Sequence, residues 1–216
     1  MNGISKFIGS SVCAVAFLFA VGEVSAANLI ANPGFETGTT ASWLTLGTGV
    51  GATITVQTPD NGPSAAGSFN AYMTNSIAAN NLALQQSTPN GSAVPGLVNY
   101  SFDLKFGSSL NGGVFFVHIW DVNSVGGVID QGPGLLQPNV ANDGNWHTFA
   151  GSFTAPATVN HLEIEFDCTT GAAAGSAESM HVDNVSLTQA VPEPTTVTLV
   201  GLGLFGAVAF GRKRKS

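Results

Sequence analysis

Two stretches of this chain alternate apolar and polar residues with a period of two, and no stretch sustains the period of a helix. Tyr100, Phe102, Leu104 and Phe106 are interleaved with Ser101, Asp103 and Lys105, while Leu162, Ile164, Phe166 and Cys168 are interleaved with His161, Glu163, Glu165 and Asp167. Successive side chains of a strand point to opposite faces, so this pattern buries one face and wets the other. The chain is thereby committed to sheets that each need an apolar partner. Further strands are expected at 52–56, 70–73, 82–86, 113–121, 147–154 and 180–188, separated by Asn61-Gly62, Asn90-Gly91, Asn111-Gly112 and Asp143-Gly144, pairs that accept positive φ. The expected fold class is all-β: two antiparallel sheets packed as a sandwich.

The two ends have a different physics. Residues 1–26 run from Lys6 through the uncharged stretch Phe7 to Gly22 and finish at Val24-Ser25-Ala26, the small residues a signal peptidase needs. They are expected to be a cleaved secretory signal, with the cut after Ala26 or Ala27. At the other end, Pro192-Glu193-Pro194 is stiff and extended, because proline fixes its own φ and disfavours helix in the residue before it. Thr195 to Gly211 is apolar and uncharged, 17 residues that would span roughly 25 Å as a helix, short for a bilayer core. Arg212, Lys213, Arg214 and Lys215 then supply the charge that stays on the cytoplasmic side. Lys6 does the same for the first segment, so everything between the ends is expected across the inner membrane.

With both ends set aside, residues 27–190 form one domain in which eleven acids face a single basic residue, Lys105. A surface with ten net negative charges repels phosphate backbones, which excludes nucleic acid as a partner. Cys13 leaves with the signal, so Cys168 is the one thiol of the remaining chain and the fold has no internal disulfide.

The Pro192-Glu193-Pro194 triplet, the short Gly-rich span and the basic end with Arg212, Lys213 and Arg214 resemble the PEP-CTERM sorting signal over residues 191–216. That resemblance implies a membrane-tethered precursor, processing by an exosortase of a Gram-negative bacterium, and release of the domain to the cell surface or extracellular matrix. The domain carries a second resemblance. Asn28-Leu29-Ile30-Ala31-Asn32-Pro33-Gly34-Phe35-Glu36 followed by Trp43, the segment Asn145-Trp146-His147-Thr148-Phe149, and the closing His181-Val182-Asp183-Asn184-Val185-Ser186-Leu187 are similar to galactose-binding-like jelly rolls, a group that includes carbohydrate-binding modules. The sandwich is therefore expected to be a jelly roll. The resemblance further implies one structural Ca²⁺ joining the first and last strands, with Glu36 and Asp183 as its acidic ligands and backbone carbonyls completing the shell.

Sugar binding needs exposed aromatic surface beside polar groups. Trp43 and Trp146 stand at motif positions expected in the core. Trp120 and His118 are the candidate ligand-binding residues, on one condition. Phe116, His118 and Trp120 share one face of their strand and Phe115, Val117 and Ile119 the other, and only if the second set points inward are His118 and Trp120 exposed. Glu163, Glu165 and Asp167 read as a solvated stripe that guards a sheet edge against aggregation, and Lys105 as the partner of an acid across its strand. No nucleophile elbow, phosphate loop or metal-spaced histidine cluster is present, so no catalytic residue is expected. The expected role is a non-enzymatic surface or matrix protein that contacts extracellular polysaccharide; a purely structural envelope component is the alternative, and a glycoside-active enzyme a third reading.

Overall fold

The structure, a computed structural model, describes residues 26–58, 67–107, 111–136 and 143–189. Nearly all of the expected signal segment, the Asn61-Gly62 turn and the C-terminal tail, with its sorting residues and apolar span, lie outside the described residues. Within them every regular element is a strand: β1 (Leu44–Leu46), β2 (Ala52–Gln57), β3 (Asn70–Asn75), β4 (Asn81–Ser87), β5 (Gly96–Phe106), β6 (Gly113–Asn123), β7 (Val128–Asp130), β8 (Gly134–Leu135), β9 (Trp146–Ala155), β10 (Val159–Thr170) and β11 (Glu178–Gln189).

The strands form two antiparallel sheets. One runs β1-β4-β10-β6-β7, with β8 also paired to β6; the other runs β2-β3-β11-β5-β9. Both expected period-two strands sit inside their sheets, β10 between β4 and β6 and β5 between β11 and β9. The apolar sets face each other across the sandwich. Leu162, Ile164, Phe166 and Cys168 of β10 and Phe115, Val117 and Ile119 of β6 are fully buried, as are Phe102 and Leu104 of β5 and Met180, Val182, Val185 and Leu187 of β11. Ring pairs stitch the sheets together: Phe102 meets Phe166 edge-on at 5.3 Å, and Phe106 packs on Phe115 at 4.6 Å. Burying a side chain of this size is worth roughly 1.5–3 kcal/mol. An all-β sandwich of jelly-roll type is what the alternation and the motifs pointed to.

The N-terminal segment closes the core from one side. Trp43 is buried, stacked obliquely on Phe35 at 5.5 Å and reaching Phe166 at 6.1 Å, with its indole N–H donated to the Asn32 carbonyl at 3.2 Å. Segment 28–33 is laced to β11: Leu29 N–H donates to Leu187 O (2.8 Å), the Asn28 amide accepts from Leu187 N–H (3.0 Å) and donates to Val185 O (2.9 Å), and Val185 N–H donates to Pro33 O (3.0 Å). β11 must yield locally to make these bonds. Its pairing with β5 shifts register between Asp183 and Ser186, and Asn184 takes a positive φ of 51° at the irregularity.

Candidate functional site

Because Phe115, Val117 and Ile119 are buried, the period of β6 turns Phe116, His118 and Trp120 onto the outer face of the sheet. The three rings form a ladder along the strand. Phe116 and His118 lie 5.6 Å apart at 14°, and His118 and Trp120 lie 5.1 Å apart at 4°. The ladder does not stand alone. In the β6–β10 register Phe116 is opposite Asp167, His118 opposite Glu165 and Trp120 opposite Glu163, while on the other flank Trp120 is opposite Asp130 of β7 and Phe116 opposite Leu135 of β8. Each ring therefore has a carboxyl beside it on the neighbouring strand.

Hydrogen bonds fix these groups in place. His118 Nδ1 is 2.6 Å from Asp130 Oδ2 and its Nε2 is 3.8 Å from Asp167 Oδ2, so the imidazole is held between β7 and β10. Asp167 also accepts from the Asn81 amide at 2.7 Å, and Glu163 accepts from the Gln85 amide. Glu165 is held well above the usual carboxylate range, first by burial, then by the charge of Asp167 and a hydrogen bond with it, then by the charge of Glu163. Asp167 is raised too, mainly by burial, with the Asn81 hydrogen bond acting against it. The pair thus keeps a proton at a pH where free carboxyls have lost theirs.

The acidic stripe does not guard an edge. β10 is paired on both sides, so Glu163, Glu165 and Asp167 line the middle of a sheet face, where Glu163 and Glu165 are half-buried and Asp167 is buried between the ring ladder and β4. On the opposite sheet, Trp146 pairs with Lys105 at the end of β9 and stands on the outer face, not in the core where its motif position placed it. The Lys105 ammonium lies 5.8 Å from the Trp146 ring centroid, and the indole meets His181 edge-on at 5.8 Å. The cross-strand neighbours of Lys105 are Trp146 and His181.

Glu36 and Asp183, expected to hold a metal, approach each other over Gly34. A Cβ placed on Gly34 would lie 3.4 Å from Asp183 Oδ1 and 3.8 Å from Glu36 Oε1, so the missing side chain leaves a cradle between the two carboxylates. Asp183 is buried, and its Oδ1 accepts from Asn184 N–H at 2.8 Å. Glu36 accepts from Ser68 N–H at 2.9 and 3.1 Å and from Phe69 N–H at 3.2 Å. The described residues contain no group of three or more His, Cys, Asp or Glu side chains suited to a metal. The donor set fits a hard cation only if carbonyls of the same segments join the two carboxylates.

Residues 190–215 match the family model of the PEP-CTERM protein-sorting motif. The chain carries a PEP-CTERM signal. The motif marks an exported protein with a membrane-anchored precursor and implies processing by an exosortase. No curated protein matches the sequence. Among solved structures, the xylan-binding domain CBM22-1 of Paenibacillus barcinonensis Xyn10C is similar with a TM-score of 0.52 and 14% identity, over 77% of this chain and 97% of that one. A structure of carbohydrate-binding modules from the β-sandwich superfamily is similar at 0.53 and 16%, over 76% and 62%. The enzymatically active domain of tailspike protein 4 from bacteriophage CBA120 is similar at 0.57 and 15% over 74% of this chain, which spans only 21% of that protein. At these identities the likeness is one of fold. The chain that carries the PEP-CTERM signal shares its β-sandwich fold with these domains.

Proposed function

We propose that the outer face of the β4-β10-β6-β7 sheet binds an extracellular polysaccharide at the surface or in the matrix of a Gram-negative bacterium, after exosortase processing of the tail. The observation that carries this reading is the ladder Phe116–His118–Trp120, half-buried on the outer face of a sheet, with hydrogen-bonding carboxyls beside every ring. Aromatic surface accepts the apolar side of a pyranose, and fixed polar groups orient its hydroxyls. The fold shared with carbohydrate-binding modules supports the same reading, although a fold hosts many functions.

The binding is proposed to be non-catalytic. Hydrolysis of a glycosidic bond places two carboxyls on opposite sides of the scissile linkage; on this face Glu163, Glu165 and Asp167 follow one another along one strand, and Asp130 on the other flank is tied to His118 at 2.6 Å. Affinity electrophoresis of the purified protein against the host's own exopolysaccharide tests the proposal. Retarded migration that Trp120→Ala abolishes is the expected result. Unretarded migration in every polysaccharide contradicts it, and shortening of the polymer in the same gel would show an enzyme.

A further inference from the structure

Carboxyls reach the ring ladder from both flanks, Glu163, Glu165 and Asp167 from β10 and Asp130 from β7, while the outward positions of β4 are Asn81, Ala83, Gln85 and Ser87. The basic groups on this face are two imidazoles, His118 between Asp130 and Asp167 and His161 with its Nε2 3.8 Å from Glu163 Oε2. Lys105, the single Lys or Arg between residues 27 and 190, belongs to β5 in the other sheet. A uronate or sulfated chain laid along this ladder would bring like charge against carboxyls on both sides. A neutral chain would leave the crowding of the carboxyls unrelieved.

We propose that this face selects a polysaccharide carrying free amino groups, with each ammonium seated between an aromatic ring of β6 and a carboxyl of β10 or β7. The inference rests on the reading of the face as a glycan-binding surface. Trp120 is the best-placed ring for such a cation, since Glu163 and Asp130 stand opposite it on its two sides. An ammonium gains from the negative face of the indole and from the carboxylates together, a combination neither a hydroxyl nor an acetamide offers. The same cation favours the ionised form of Glu165, which burial first and the charges of Asp167 and Glu163 after it hold protonated.

The test is calorimetric titration of the purified protein with three probes of matched length: a β-1,4-linked glucosamine oligomer, its fully N-acetylated counterpart, and a xylan oligomer. The expected result is a Kd about tenfold lower for the amino oligomer than for the other two, the size of one partly desolvated cation–π and ion-pair contact. Glu163→Gln should remove most of that preference and Trp120→Ala should abolish binding of all three. Asp143→Asn, an equal change of charge beside β9 in the other sheet, should leave the preference unchanged. Equal or tighter binding of the N-acetylated or xylan oligomer overturns the amino-group inference while leaving the glycan-binding face intact. A preference that Asp143→Asn lowers as much as Glu163→Gln does marks diffuse attraction to an acidic protein and overturns it as well. Binding of no oligomer overturns the amino-group inference, while the glycan-binding reading stands or falls with the electrophoresis against the host's own exopolysaccharide.

Discussion

Glu178 and Gly113 show how tightly single positions are specified at the end of the sandwich. Glu178 is 4% exposed, its Oε2 is 4.0 Å from Cys168 Sγ, and its Oε1 has no hydrogen-bond partner. The carboxyl occupies the place of a side chain at position 113, where a Cβ would stand 1.2 Å from Glu178 Oε1 and 2.5 Å from Thr169 O. Gly113→Ala must displace either a buried acid or backbone of β10, and is expected to cost about 1–3 kcal/mol in chemical denaturation. Burial also pushes Glu178 from 4.5 up to about 7. The unfolded chain releases this proton above 4.5 while the native one keeps it to about 7, so in that interval the native state binds more protons and stability falls as pH rises. The contribution of the neutral acid is complete below the interval and lost above it. Glu178→Gln should therefore melt at the same temperature as the parent near pH 4 and about 2–4 °C higher near pH 8, the shift of roughly 1 kcal/mol in a domain of this size. A parallel pair of melting curves across that range would contradict the assignment.

Among the elements, β5 and β10 were legible because only one face of each is apolar, and the period alone says which way it points. β6 was not. Both its faces carry large apolar or aromatic side chains, so the orientation that turns His118 and Trp120 to the outer face is decided by its pairing with β10 and by the core opposite, neither of which is local in sequence. The carboxyl beside each ring is likewise a product of register, which set Glu163 against Trp120 and Glu165 against His118. Trp146 was misplaced for the same reason, since a motif position does not reveal that it pairs with Lys105 at the sheet surface. β1, β7 and β8 are three residues or fewer, too short for a period to register. At the seam between the first segment and β11, Glu36 and Asp183 converge on Gly34, and the calcium expectation becomes a thermal measurement. A cation bound there at a hundredfold excess over its Kd would add about 2.7 kcal/mol, or about 5–10 °C in Tm. Asp183→Asn should abolish that gain, and an unchanged melting curve with calcium and with chelator would remove the ion from the account.

For the whole molecule, the acidic balance and the sandwich act together. Ten net negative charges between residues 27 and 190 act against self-association and repel like charge, and the PEP-CTERM motif at 190–215 marks the chain for export. The two sheets then present unlike faces: one carries the ring ladder with carboxyls on its flanks, the other Tyr72, His181, Lys105 and Trp146 in a row across four strands. Polysaccharide is proposed to bind the first of these. Amide chemical shifts of the labelled protein, followed while fragments of the host's exopolysaccharide are added, decide between the faces. Saturable changes concentrated on β6, β10 and β7, around Phe116, His118 and Trp120, are the predicted result. Changes concentrated on β3, β11, β5 and β9, or confined to loops, would contradict it.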